Sequence, residues 1–260
     1  MIRTSACLFV LACAGSAMGQ SVIYSNIPAV LAGNYPSQPF QAQQTFEFGD
    51  RVNFGGSDRQ LQSATVTMSS WARSEDYGNA TSFTHPLTLN IYAAGSGGSP
   101  GALLGSVTQV QTILFRPTVW NNPDTGNPYG GIACNVTFDL SGLNLTAPNS
   151  IVWGIEYNTQ TYGDNPMGSS GPWNSLNVAL NTAAGGGITA GSNDNLDDVM
   201  WNTVTAGWYA DGGAGGVGTF RQDTGWTGYT PMIEFSAVPT PAAGALLGLG
   251  GLTALRRRRR

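Results

Sequence analysis

The sequence predicts an all-β protein, a single jelly-roll-like β-sandwich with an N-terminal signal peptide and a short C-terminal apolar helix. Three observations predict it. Apolar and polar residues alternate with period two through most of the chain, long helical periodicity is absent before Ala242, and Gly/Asn/Ser/Pro clusters punctuate the alternating runs. Strands with one apolar face need a second sheet to cover it, which favours a sandwich over a closed barrel.

Residues 43–48 form the first candidate strand of the body. Within 61–71, Ala64, Val66 and Met68 share one face, with Thr65, Thr67 and Ser69 on the other. Leu87, Leu89 and Ile91 alternate with Thr88, Asn90 and Tyr92, and residues 105–115 form the next strand. Val136, Phe138 and Leu140 make a third apolar row; Ile151, Trp153, Ile155 and Tyr157 make a fourth. Leu176, Val178 and Leu180, then Ile233 and Phe235, complete the series. Turn clusters at 55–58, 95–101, 121–126 and 185–187 separate these runs. Two stretches, 158–174 and 185–219, read as long irregular segments pinned by aromatic packing. The order of the strands within each sheet is not encoded in this pattern.

The ends read as addresses. Arg3, an apolar run over 6–14 and Ala17-Met18-Gly19 before Gln20 have the layout of a secretory signal. Two alternatives are a first core segment and a lipoprotein signal with Val10-Leu11-Ala12 ahead of Cys13. At the other end, Pro239-Thr240-Pro241 forms a hinge before an uncharged apolar run over 242–255. Arg256, Arg257, Arg258, Arg259 and Arg260 then form a cationic block. These guanidinium groups repel one another, stay solvated and resist passage through a bilayer. A fourteen-residue helix spans roughly 21 Å, short of a ~30 Å hydrocarbon core, so the segment reads as a marginal anchor. A disordered basic tail is the alternative. The expected organisation is signal peptide 1–19, β-sandwich 20–237 and sorting or anchor segment 238–260.

Hinge, apolar helix and arginine block together resemble the PEP-CTERM sorting signal of bacterial surface proteins, in the Arg-rich, short-helix form of planctomycete-like bacteria. The resemblance covers 238–260, with Thr240 where the family usually has Glu. It implies export, membrane retention, recognition by an exosortase-like processing enzyme, and later release or attachment at the cell surface. The segment LTLNIYAAGSGGSPGALLGSVTQ also resembles a recurrent part of surface β-sandwich domains found beside such signals. That likeness implies a fold and no activity.

Composition narrows the chemistry. Charged residues are 10% of the chain, against about 25% in ordinary soluble proteins. No lysine is present, and the body carries five arginines against all fifteen acidic residues, a net charge near −10. Such a surface does not suit nucleic acid, which needs a basic face. Without lysine there is no P-loop and no Schiff base. Cys134 is the one cysteine beyond the signal; it reads as a small core hydrophobe and cannot form an internal disulfide. His85, the single histidine, reads as a partly exposed turn residue before Pro86, and no Gly-x-Ser-x-Gly accompanies it.

Three weaker constellations remain. Asn193, Asp194, Asn195, Asp197 and Asp198 offer many oxygens within one turn, as calcium needs, and also as an exposed loop uses to bond its own backbone. Trp173, Trp201 and Trp208 could form a platform for a surface polysaccharide, or simply close the end of the sandwich. Glu47, Asp139, Glu156 and Glu234 lie in strands and could supply the paired carboxylates of a glycoside hydrolase, although solvated strand-face carboxylates are the plainer reading. The expected function is therefore an exported surface or extracellular-matrix protein without catalytic activity or required cofactor. A carbohydrate-binding module and a secreted hydrolase are the alternatives.

Overall fold

The computed structural model describes residues 19–31, 33–96, 99–117, 131–159, 171–203 and 219–240. Its strands are β1 (Ser21–Ser25), β2 (Ser37–Pro39), β3 (Thr45–Asn53), β4 (Gln60–Ser70), β5 (Ser82–Ala94), β6 (Pro100–Leu114), β7 (Ile132–Asp139), β8 (Ser150–Glu156), β9 (Leu176–Asn181), β10 (Asp198–Thr203), β11 (Arg221–Thr224), β12 (Thr230–Pro231) and β13 (Ile233–Val238). One α-helical turn, α1 (Phe40–Gln43), joins β2 to β3. It ends at Gln44 in the left-handed conformation, and Phe40 stacks on Tyr157 with ring centroids 3.8 Å apart.

All strand pairs are antiparallel, and they form two sheets. The first is built on β4. One of its edges carries β13 along residues 60–66 and then β9 along 68–70, while the other carries β7. β1 flanks β13, and β2 and β12 flank β9. The second sheet runs β11-β10-β3-β8-β5-β6. From β2 to β9 the chain changes sheet at every step except the β5–β6 hairpin. The result is β2-β9-β4-β7 in one sheet and β3-β8-β5-β6 in the other.

The core lies between the sheets. Ala64, Val66, Met68, Phe138, Val178 and Phe235 enter it from the first sheet; Phe48, Leu87, Leu89, Ile91, Trp153 and Ile155 enter from the second. Each alternating row read from the sequence is found here, and Cys134 is buried among them. At one side of the sandwich the two sheets are joined by glutamines. Gln111 Nε2 donates to Thr137 O at 3.0 Å, and Gln109 both donates to Asp139 O and accepts from Asp139 N. These amides satisfy backbone groups on the edge of β7 that no strand covers.

Several expectations are corrected. β10 lies within the stretch expected to be irregular, so Asp198 and Trp201 are strand residues. β6 begins at Pro100, inside the expected turn. His85 is not a partly exposed turn residue. It sits within β5 and is fully buried, with Nδ1 2.8 Å from Pro86 O and Nε2 3.2 Å from Asn158 O. No helix of the described residues is long and apolar enough to cross a membrane. The apolar run 242–255 lies outside those residues.

Candidate functional site

The outer face of the second sheet, expected to be solvated, is buried at its centre. Cross-strand register places Asn202, Glu47, Glu156 and Thr88 in one row, with Met200, Gly49, Gly154 and Asn90 in the next. Gly154 leaves room that Glu47 fills: an added Cβ there would stand 2.7 Å from Glu47 Cγ. A glycine inside a strand marks a close approach. Here the approaching group is a carboxyl from the neighbouring strand.

Leaning across Gly154, Glu47 meets β5. Its Oε1 accepts from Asn90 Nδ2 at 3.0 Å and from Tyr92 OH at 3.0 Å. Asn90 Nδ2 also donates to Glu156 Oε2 at 3.1 Å, so one donor holds the two carboxyl oxygens within about 6 Å of each other, near the spacing of a carboxylate pair. Ser106 Oγ donates to Asn90 Oδ1 at 2.7 Å and so orients the amide toward both acids. Burial pushes the Glu47 carboxyl up to about 7; the bonds from Asn90 and Tyr92 oppose this, and the Glu156 charge adds to it. Burial, then the neighbouring Glu47 charge, also raises the Tyr92 hydroxyl. Glu47 is 3% exposed, Asn90 6% and Asn202 7%, whereas Glu156, Thr88 and Tyr92 are half-buried and Ser106 and Thr108 exposed. The cluster therefore opens toward β5 and β6. Tyr92 packs against the half-buried Phe220, with centroids 5.4 Å apart.

A second buried acid lies on the inner face. Asp50 projects to the same side as Phe48 and Val52, and its carboxyl accepts from Arg51 N and from Asn193 Nδ2 at 2.9 Å. Burial raises it well above the usual carboxylate range, and the Asp198 charge adds to the effect.

The residues expected to hold calcium do not converge. Asn193 turns to Asp50, Asp194 accepts from Asn53, Asn195 accepts from Asp197 N, Asp197 accepts from Thr227, and Asp198 accepts from Gln222. No group of three or more His, Cys, Asp or Glu among the described residues is placed to hold a metal ion.

Of the tryptophans expected to form a platform, Trp201 is not on the surface. Trp201 faces the core at 6% exposure, edge-on to Trp226, because its register partner is Phe48. Trp173 occupies a 3-10 turn and lies over Gly171, and Trp208 lies outside the described residues. Of the four candidate acids, Glu47 and Glu156 come together. Asp139 and Glu234 belong to the other sheet, where Asp139 accepts from Ser141. Pro239 and Thr240 follow β13 directly; Pro241 and Arg256 to Arg260 lie outside the described residues.

Sequence reasoning named Glu47 and Glu156 but not Asn90, Tyr92, Ser106 or Asn202 as their partners. The available signal was a glycine in the interior of each acid's strand, Gly49 and Gly154. Comparison of the chain with protein-family models, curated proteins and solved structures finds no match.

Proposed function

We propose that this chain is an exported bacterial surface or extracellular-matrix protein of PEP-CTERM type, whose body is a non-catalytic jelly-roll. One observation carries the reading: the three-part ending of Pro239-Thr240-Pro241, apolar run and five arginines, paired with a secretory layout at residues 1–19. β13 runs through Val238, the first residue assigned to the tail segment, and Pro239 follows it directly. The strand orders β2-β9-β4-β7 and β3-β8-β5-β6, with the chain crossing between sheets, support the jelly-roll reading. The partners are the export machinery and an exosortase-like membrane enzyme that handles the tail.

The Glu47–Glu156 pair is the one observation that favours the hydrolase reading. Against it, Glu47 Oε1 already accepts two protein hydrogen bonds and the side chain is buried, whereas a general acid must reach the leaving oxygen. Fractionation of a Gram-negative host, with mass spectrometry of both termini, tests the proposal. The expected result is an envelope-associated protein beginning at Gln20. A cytosolic protein with both termini intact overturns it.

A further inference from the structure

β6 is an edge strand without the features that keep sheet edges apart. It ends the second sheet, pairs only with β5 and runs for fifteen residues, none of them charged. Sheet edges are ordinarily blunted by shortness, by charge or by a cover. The other described edges follow that rule: β11 is short and carries Arg221 and Asp223, β1, β2 and β12 are short, and the edge of β7 is met by Gln109 and Gln111. Of the eight exposed large hydrophobic residues among those described, β6 carries four, Leu103, Leu104, Val110 and Leu114. Apolar exposure is thus concentrated on the unguarded edge.

Backbone groups alternate between the two sides of a strand. Just past β6, Phe115 N donates to Thr81 O at 3.0 Å, on the β5 side, whereas Leu114 N turns away and donates to the Cys134 sulfur. The odd-numbered residues of β6 therefore bond β5. Ser106, Thr108, Val110 and Thr112 turn their N–H and C=O groups to the open side, where no described strand pairs with them.

We propose that β6 is the interface of a two-fold dimer, pairing antiparallel with β6 of a second copy to join two six-stranded sheets into one. A second copy fits this edge for two reasons. The body carries a net charge near −10, so two copies approach closely only across uncharged surface, and β5 and β6 hold no Asp, Glu, Lys or Arg. The strand is also self-complementary, as a two-fold interface requires. With Val107 on the axis, Thr108 falls opposite Ser106 of the second copy, and Val110 opposite its Leu104. Thr88 and Thr108, with Oγ1 atoms 2.8 Å apart, then continue as a polar row into Ser106 and Asn90 across the axis, themselves joined at 2.7 Å. Beside it, Pro86 and Val110 continue as an apolar row into Leu104. Gln109 and Gln111 reach to β7 and leave the edge clear. The dimer stands independently of the export proposal, because it involves neither the signal segment nor the tail.

Analytical ultracentrifugation of the full-length protein, with amide hydrogen exchange over the same concentrations, tests it. The wild-type chain passes from monomer to dimer as concentration rises. The amides of Ser106, Thr108 and Val110 gain protection in step, while those of Val107 and Gln109, already bonded to β5, do not change. Thr108→Pro removes an N–H that faces the open edge and no bond to β5. This variant and Val110→Arg each raise the dimer dissociation constant about tenfold or more. Should either variant fail to fold, the wild-type exchange pattern decides. A protein that stays monomeric up to about 1 mM overturns the proposal. Association that leaves Ser106, Thr108 and Val110 unprotected, as when the apolar tail holds copies together, overturns it too, as does association that neither folded variant weakens.

Discussion

Glu47 and Gly154 occupy one space: the carboxyl of the first lies where the second would carry a side chain. The cross-strand register sets this up, since Gly154 sits between Gly49 and Asn90, one row away from the Glu47–Glu156 pair.

Gly154→Ala should therefore push Glu47 off Asn90 and Tyr92. Because both Cγ and the carboxyl must move within a buried site, the cost is about 1–3 kcal/mol. Combining it with Glu47→Ala removes the clash, so the double variant should be more stable than additivity predicts by about 1 kcal/mol or more. Urea denaturation of the four proteins measures this coupling, and additive energies would contradict the geometry.

The pH dependence of stability follows from the same residue. Glu47 rises from 4.5 to about 7 on folding, so the native state keeps a proton that the unfolded chain releases across that window. Stability therefore falls as pH rises through it. Asp50 acts in the same direction. His85 acts in the opposite one: its folded value lies below 6.5, so stability falls as pH drops and the unfolded chain takes up the proton first. Glu47→Gln should match wild type near pH 4 and exceed it near pH 8 by on the order of 3 kcal/mol. Denaturation midpoints at the two pH values provide the check; equal midpoints at both would refute it.

Asn26 is a side-chain splice in the first sheet. It is fully buried, its Nδ2 donates to Pro231 O at 2.9 Å, and its Oδ1 accepts from Ile233 N at 2.8 Å. The two bonds bracket Met232, where β12 gives way to β13. Asn26→Ala orphans both backbone groups and should cost about 2–3 kcal/mol. Asn26→Gln, one methylene longer in a closed site, should not rescue it. Thermal melting of both variants tests this.

The glutamine bridge predicts a local effect. Replacing Gln109 and Gln111 by alanine should leave global stability within about 1 kcal/mol, because both are only partly buried. Asp139 N should lose protection in hydrogen exchange, since Gln109 Oε1 is its acceptor. Unchanged exchange at Asp139 would show that the bridge contributes nothing in solution.

The strands were legible where one face is core and the other is not. Ala64-Val66-Met68 and Leu87-Leu89-Ile91 announce themselves because period-two burial is the physical cause of period-two sequence. β10 was not legible. Asp-Val-Met-Trp-Asn-Thr is buried on both faces, so its polar residues do not alternate against an exposed side. The same covering of the outer face made Glu47 look like a solvated carboxylate. Asn90, Tyr92 and Asn202 become its neighbours through the pairing of β10, β3, β8 and β5, and partner choice is a property of the sheet as a whole.

Ser21 pairs with Ala237, so the first and last described strands meet at one corner of the molecule. A tether continuing from Val238 would draw on a strand gripped along both flanks, by β1 and by β4, and a pull there would have to shear two ladders together. Glu47 sits near the opposite end of β3 from the turn that leads into β4, where Val238 pairs with Gln60. A molecule moored by its tail would thus hold that patch outboard, facing whatever drifts past.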